Sequence, residues 1–523
     1  MHSALTVIIA LLAVLVAVTV AAPRLRLPQP ILLVLAGLGL SQVPGLPRVP
    51  LDPELVLLLF LPPLLYSDAF HSSWRDFRRW LRPILMLAIG LVAATTLAVG
   101  LVAHAFFPDL PWAVCFALGA IVSPTDTVAA HAVLERLRVP RRLAAILGGE
   151  SLVNDATGLV GVQIAVAVTM SGLFSAGEIA ATFAWVAGGG VAIGLGTGLV
   201  FAALNRWLSG TQVLFAVSLL SPYLATWIAV ELHASAVLAV VVAGFLVSWR
   251  MHHVPAASRV GLYQAWDLVT FLLNGVSFVF IGLEAPGLLR GLPDAGWALA
   301  AALAVAATVI VTRIAWMFPA AYLPLMLSRR LRAIEGGAPP WQGVTVCAWA
   351  GMRGVVSLAA ALALPRASAD GTPFPGRDVV VFATVVVIAA TLLVQGATLA
   401  PLIRWLGLTA SGDDGEAEVR AAREAVLGAG IARLDAFCSE VACPIAVHHL
   451  RTAMVYRLAS LRDEDAAERD LAHQRLQVSR DVRSAVRAAQ AAELLRLRDD
   501  GRIDDKAYAE LQLELDRAGL DDG

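Results

Sequence analysis

Charged residues are scarce in this chain: they make up 15% of its 523 residues, while 58% are hydrophobic. A soluble domain contains about 25% charged residues, so the composition excludes an ordinary soluble protein. Cysteine is also scarce, with four in the chain, and their spacing indicates neither a disulfide framework nor a zinc finger. No basic segment precedes the first apolar run, so we expect an uncleaved first helix rather than a signal peptide.

Long apolar runs dominate the chain up to Leu408. They are about 20 residues long, which is the length of a helix that crosses a bilayer, whereas barrel strands would alternate over about 10 residues. The sequence therefore predicts an all-α polytopic membrane protein with a transmembrane domain over residues 1–408. We predict about thirteen spans, near residues 4–22, 29–44, 51–70, 83–107, 111–134, 143–170, 176–204, 211–231, 234–249, 262–285, 295–327, 342–365 and 378–407.

Acidic residues separate this domain from a tail over residues 409–523. Of the 40 acidic residues, 17 lie before Leu408 and 23 lie in the last 115 residues. Helical spacing in the tail, as in 416–437 and 481–498, predicts cytosolic helices. A regulatory role in the response to pH, a role in dimerisation and a plain solvated surface are all open. We expect no cofactor and no nucleic-acid partner.

Arginines in the predicted loops set the orientation. Alternate loops contain 16 of them and the remaining loops contain four. The positive-inside rule then places the N-terminus outside the cell membrane and the tail in the cytosol, which requires an odd number of spans.

Six polar or ionisable residues lie inside apolar sequence in two short segments, Ser123–Asp126 and Gly149–Asp155. They are Thr125, Asp126, Glu150, Ser151, Asn154 and Asp155. A carboxylate at membrane depth costs roughly 3 kcal/mol by insertion scales and persists where it lines a cavity or binds something. The segments therefore predict a cation or proton site.

Two of the predicted spans are interrupted. The fifth contains Pro124, and the twelfth contains Gly351–Gly354 with Arg353 in the middle. Paired interruptions are typical of inverted repeats, whose broken helices cross at a binding site in the membrane. The alternative is a proline kink and flexible glycines, which membrane helices tolerate.

Helical spacing sorts the polar residues into two faces. Glu150 and Asn154 share one stripe of the sixth span, and Ser151 and Asp155 share the next. Oxygen ligands suit a hard cation such as Na⁺: a carboxylate from Asp155, a hydroxyl from Ser151, and backbone carbonyls near Thr125.

Burial favours the neutral form of a carboxylic acid. A buried Asp155 is therefore expected to hold either a proton or a metal ion, and this competition would give obligatory exchange. Asp126 is expected to add a second carboxylate or to cap the half-helix that follows it.

Two arginines in the spans require compensation because arginine stays charged. We predict that Arg313 pairs with Glu150 and that Arg353 compensates the ends of the facing half-helices. Asp68, at the end of the third span, is either a supporting residue of the site or an interfacial one.

Four motifs in order, SPTD, GESLVND, VTRIAWM and GMRGVVSLAAAL, resemble the cation/proton antiporter-1 family, the sodium/proton exchangers. The resemblance covers about residues 1–408 and is greatest to the bacterial branch with a long tail. It implies thirteen helices, a homodimer and an elevator-like motion.

The same resemblance implies functions for particular residues. Asp155 would bind cation or proton, assisted by Ser151 and the Thr125 backbone. Asn154 would replace the second aspartate of electrogenic relatives, which gives electroneutral exchange of one proton per Na⁺. Many members have Glu where Asp68 stands.

Other functions are open. K⁺/H⁺ exchange is the main alternative, and Li⁺ is a further possible ion, because the sequence does not define the cavity size. An intramembrane aspartyl enzyme would use two of the buried acids but gives no reason for the arginines. A channel or sensor would lack counter-transport.

Overall fold

The structure is a computed structural model of the whole chain. It describes all residues except 1, 26–27, 44–52, 127–129, 131–132, 135–136, 138, 172–175, 209, 291–293, 368–371, 409–413, 441–444, 462–465, 501, 503–510 and 513–523. The chain divides into two compact units, residues 1–410 and 411–523, and each is built of helices.

The first unit follows the predicted pattern of apolar helices, several of which are divided into shorter pieces. In chain order they are α1 (His2–Leu25), α2 (Gln29–Leu40), α3 (Pro53–His71), α4 (Trp74–Arg79), α5 (Leu81–Leu85), α6 (Val92–Phe106), α7 (Trp112–Val122), α8 (Arg141–Ser171), α9 (Ala176–Trp207), α10 (Thr211–Glu231), α11 (Ala236–Trp249), α12 (Ala256–Arg290), α13 (Ala295–Leu327), α14 (Arg329–Ile334), α15 (Trp341–Trp349), α16 (Val355–Leu362), α17 (Arg377–Thr391) and α18 (Ala397–Trp405). Short π-helical segments, Met86–Leu91 and Leu392–Gly396, join α5 to α6 and α17 to α18.

Eight helical stretches in the described residues are long and apolar enough to cross a membrane, and α2, α7 and α11 are shorter apolar helices. The eight stretches are Leu5–Leu25, Leu81–Phe106, Arg141–Met170, Ala181–Trp207, Thr211–Glu231, Ala256–Leu283, Gly296–Leu327 and Arg377–Trp405. The all-helical membrane class is therefore confirmed. The count of thirteen crossings stays a prediction.

Close packing of α9 against α11 depends on glycines four residues apart. Gly190, Gly194 and Gly198 lie on one face of α9, and a Cβ at Gly194 would overlap the carbonyl oxygen of Ala239 on α11. Small residues at this spacing let membrane helices approach closely, where van der Waals contact replaces the hydrophobic effect as the source of stability.

Several arginine-rich loops meet at one end of the first unit. Glu335, which follows α14, contacts Arg82 of α5 at 2.5 Å and Arg142 of α8 at 3.7 Å. The loops joined through Glu335 are those that the distribution of arginines assigns to one side of the membrane.

At another point of the unit, Trp297 donates a hydrogen bond of 3.1 Å to the carbonyl oxygen of Phe106.

The second unit contains three described helices, α19 (Asp414–Glu440), α20 (Ile445–Ala459) and α21 (Ala466–Asp499). Exposed ion pairs such as Arg451–Asp435, at 2.5 Å, lie on them. Cys438 is disulfide-bonded, which the cysteine spacing did not predict, whereas Cys115 and Cys347 of the first unit are free and buried.

Candidate ion-binding site

Two interrupted helices meet inside the first unit. Helix α7 stops before residues 123–126, and residues 350–354 separate α15 from α16. The amide of Asp126 donates a hydrogen bond of 2.8 Å to the carbonyl oxygen of Met352, which ties the two breaks together. The contact is so close that a Cβ at Gly354 would overlap the carboxylate of Asp126. Glycine is therefore required at that position by the crossing itself.

Arg353 lies at this crossing and is fully buried. Its guanidinium donates to the carbonyl oxygens of Val122, at 2.9 Å, and Ser123, at 3.4 Å, and also to that of Gly351. The carbonyls of Val122 and Ser123 form the C-terminal end of α7, which is the negative end of a helix dipole. The charge of Arg353 is thus compensated by a half-helix end, and it fixes α7 against the break before α16.

Glu150 and Arg313 form a buried ion pair between α8 and α13. The two terminal guanidinium nitrogens of Arg313, Nη1 and Nη2, lie 2.5 and 2.9 Å from the carboxylate oxygens of Glu150. Both side chains are almost fully buried. Arg313 also donates to the carbonyl oxygen of Cys347, near the end of α15. Glu150 accepts a further hydrogen bond of 3.1 Å from the Thr125 hydroxyl. Its charge is therefore fully engaged in holding α8, α13 and the first break together.

Thr125 is the point where the two polar stripes of α8 converge. Asn154 donates a hydrogen bond of 2.8 Å from its amide to the Thr125 hydroxyl. Ser151 donates one of 3.0 Å to the Thr125 carbonyl oxygen. The first stripe, Glu150 and Asn154, thus meets the side chain of Thr125, while the second stripe reaches its backbone.

Asp155 faces a small cavity of about 30 Å³ beside the crossing. Its side chain is buried, with 4% exposed, and in the described part of the chain no group donates a hydrogen bond to it. Asp126, Asp68, Ser151 and Thr125 also line this cavity, and its described lining includes no lysine or arginine. Three carboxyl groups on one small, oxygen-rich cavity make a favourable environment for a cation.

A second cavity, of about 840 Å³, leads away from this site. Asp68 and Asn274 line both cavities, and the larger one reaches Asp76 and Arg141 at the arginine-rich end of the unit. Asp68 is therefore shared between the large cavity and the small one that Asp155 borders.

Two polar lining residues, Asn274 of α12 and Ser357 of α16, were not among the predicted site residues. Ser357 follows the second break by three residues, so its position in the first turn of a half-helix was a usable signal. Asn274 had none, because its place depends on how α12 packs.

The chain is similar to known sodium/hydrogen exchangers. The family model for the transmembrane sodium/hydrogen exchanger matches residues 8–405. An uncharacterized Na⁺/H⁺ exchanger of Mycobacterium tuberculosis is 37% identical over 98% of this chain and 95% of that protein. A sodium, potassium, lithium and rubidium/H⁺ antiporter of Bacillus pumilus is 30% identical over 72% of this chain and 58% of that protein.

The fold also matches a solved structure. That of the sodium proton antiporter MjNhaP1 from Methanocaldococcus jannaschii has a TM-score of 0.61 and 21% identity, covering 77% of this chain and all of that one. The chain therefore has the fold of that protein. The intramembrane-enzyme alternative does not hold, because the family matched over residues 8–405 consists of sodium/hydrogen exchangers, which are transporters. From motifs, family match and fold together, the resemblance found in the sequence is confirmed: the chain belongs to the sodium/hydrogen exchanger family of membrane antiporters.

Proposed function

We propose that this protein is a secondary active antiporter that exchanges one Na⁺ for one H⁺, with both ions competing for Asp155. It would act in the cell membrane as a homodimer, with the N-terminus outside and the tail in the cytosol. Residues 1–408 would form the transport domain and residues 409–523 a cytosolic helical tail.

The observation that carries this proposal is the contrast between Asp155 and its neighbours. Asp155 is buried without a hydrogen-bond donor in the described part of the chain and borders a cavity lined by further oxygens. A buried, bare carboxylate is costly, so it gains from binding either a proton or a cation. Because one carboxylate serves both ions, loading one requires release of the other.

Oxygen atoms around the cavity are suitable ligands for a dehydrated Na⁺ or Li⁺, since hard cations prefer oxygen. Ser151 offers a hydroxyl, Thr125 a backbone carbonyl, and Asp126 a carboxylate. Asp68, shared with the large cavity, would receive the ion before it reaches Asp155.

Electroneutral exchange follows from the charges on α8. Glu150 is engaged by Arg313, and Asn154 is uncharged. Asp155 is then the acid of this helix that is free to bind an ion. The carboxylate with one bound proton has the same net charge as the carboxylate with one bound Na⁺. A one-to-one exchange would therefore be insensitive to the membrane potential.

Alternating access would follow an elevator-like movement. Asp155 and Thr125 lie on α8 and at the end of α7, which are linked to α13 and α15 by the contacts of Arg313. These elements would move together past α3 and α12, which supply Asp68 and Asn274. The large cavity at the arginine-rich end corresponds to access from the cytosol.

K⁺/H⁺ exchange is the second candidate. It is favoured by the named specificity of the Bacillus pumilus relative, which includes potassium along with sodium, lithium and rubidium. A cavity of about 30 Å³ has room for either ion, so the flux assay below decides between Na⁺ and K⁺.

The test is proton flux in proteoliposomes that contain the full-length protein and a fixed pH gradient. Na⁺, Li⁺ or K⁺ is then added. For each ion that drives proton movement, the rate should be the same whether the membrane potential is clamped or free. A rate that changes with potential would contradict one-to-one exchange.

Asp155→Asn tests the site in the same assay. The amide has the same shape but cannot alternate between proton and cation, so flux should fall to background while the protein stays folded. Asp109→Asn, at an exposed turn, is the matched control and should retain full flux. Normal exchange by the Asp155 variant would remove Asp155 from the mechanism.

A further inference from the structure

Ser357 is an unexplained polar group in the small cavity that also contains Asp155. The side chain is buried, with 2% exposed, and its hydroxyl has no hydrogen-bond partner in the described part of the chain. Ser357 lines the cavity from α16, whereas Ser151 and Asp155 line it from α8. A hydroxyl that is removed from water without a partner is unfavourable, so the position calls for a ligand.

The break before α16 explains why this hydroxyl is free. Serine inside a helix commonly donates to the carbonyl four residues earlier. For Ser357 that residue is Arg353, which lies in the break before α16 begins at Val355, and the hydrogen bond is not formed. Nor does the hydroxyl cap the helix, because Gly354 occupies the N-cap position. The geometry of the crossing therefore leaves an unpartnered hydroxyl on a residue that lines the cavity.

The cavity is of a size that a small ion would fill. A water molecule needs at least about 10–15 Å³ of such space, so about 30 Å³ accommodates a cation with one or two waters. With so little room for water, most ligands must come from the protein, and Ser357 lines the same cavity as the residues of the proposed ligands.

We propose that Ser357 supplies an oxygen ligand to the transported cation, from α16 and opposite Asp155. This inference rests on the proposed function and extends it to a residue outside the two motifs on α7 and α8. The cation would then join α8 to the half-helix that follows the second break, so that both interrupted helices contribute to one site.

The experiment is a Na⁺ titration of proton flux in proteoliposomes with two variants. Ser357→Ala removes the hydroxyl, and Ser357→Cys keeps the shape but replaces a hard oxygen by sulfur, a poor ligand for Na⁺. Both should raise the KM for Na⁺ about tenfold, the worth of one contact to a charged group, and leave the maximal rate within about twofold.

Ser277→Ala is the matched control. Ser277 is also buried, with 5% exposed, and also has an unpartnered hydroxyl, but it is absent from the lining of both cavities. Its variant should leave the KM unchanged. The rise in Tm of the purified protein with increasing Na⁺ gives a second measurement of binding. The Na⁺ concentration at half of the maximal rise should be about tenfold higher for both Ser357 variants.

The inference is overturned if either Ser357 variant keeps its KM within about twofold of the original, or if the control shows the same rise. A fall in maximal rate without a change in KM would also overturn it, since this would indicate a role in movement. Failure of the proposed function is separately visible, because it would appear as exchange by Asp155→Asn.

Discussion

Glu150 and Asp155 lie five residues apart on α8 and are buried to nearly the same degree, 1% and 4% exposed. Their surroundings are opposite. Glu150 accepts hydrogen bonds from both terminal guanidinium nitrogens of Arg313 and from the Thr125 hydroxyl. Asp155 borders a cavity and has no hydrogen-bond donor in the described part of the chain. Burial alone therefore does not distinguish the two acids, whereas their hydrogen-bond partners do.

This contrast separates stability from transport along a single helix. The region around Glu150 holds α8, α13 and the two breaks in fixed positions, and its charges cancel. The region around Asp155 has no described donor to the carboxylate, and under the proposed function a proton or a cation would occupy it. Substitutions on the two faces should accordingly affect different measurements.

The largest effect on stability is expected for Glu150→Ala. The substitution leaves the buried guanidinium of Arg313 without its carboxylate, and breaking such a pair costs about 3–5 kcal/mol. Thermal unfolding of the purified protein in detergent should show a large fall in Tm. Asp155→Ala is the matched comparison, because it removes an acid from the same helix without leaving a charge unpaired, and its Tm should stay close to the original. Equal falls in Tm would break the contrast between the two acids.

Replacing both Glu150 and Arg313 should lower the free energy of unfolding by less than the sum of the two single replacements. In a double-mutant cycle of Glu150→Gln and Arg313→Gln, the double variant no longer contains an unpaired buried charge. We expect a coupling of about 2–3 kcal/mol between the two positions, measured from unfolding in detergent. Additive losses would mean that other groups satisfy each charge separately.

Competition at Asp155 predicts a specific dependence on pH. Where the site is mostly protonated, each unit of fall in pH should raise the KM for Na⁺ about tenfold, since one proton competes with one cation. The maximal rate should be unaffected, because enough Na⁺ displaces the proton. Na⁺ titrations in proteoliposomes at several pH values measure both quantities. A constant KM with a falling maximal rate would indicate separate proton and cation sites.

The sequence was sufficient for the parts of this site that follow from residue type and spacing along one helix. Pro124 and the glycines around Arg353 indicated both breaks, and the stripes of α8 separated Glu150 from Asp155. The pairing of Glu150 with Arg313 followed from the cost of a buried charge. These inferences need no knowledge of how the helices pack.

Contributions from more distant helices were out of reach. Asn274 lines the small cavity because of how α12 packs, and nothing in its local sequence expresses that packing. Ser357 could be placed near the second break from its sequence position, but its presence in the same cavity as Asp155 could not. The size of the cavity, on which ion selectivity depends, likewise results from packing many side chains. Composition also leaves the number of membrane crossings undetermined, because broken and short helices do not reach the length of about 20 apolar residues that marks a transmembrane helix.

The smallest effect is expected at Thr125, where the two regions touch. Thr125→Ala removes one donor to Glu150 and leaves the Asn154 amide without its partner, which should cost about 1–3 kcal/mol in unfolding. Thr125→Ser keeps the hydroxyl and should restore most of this. Thr95→Ala is the control, because Thr95 is fully buried with an unpartnered hydroxyl, so no hydrogen bond is lost.

The same variant also sharpens the proposed division of roles. The Thr125 side chain serves the Glu150 region, whereas its backbone carbonyl faces Ser151 and the cation cavity. Thr125→Ala should therefore lower Tm while changing the KM for Na⁺ by less than Ser357→Ala does. A large rise in KM from Thr125→Ala would mean that the hydroxyl network and the cation site are one unit, because the carbonyl position would then depend on the side chain.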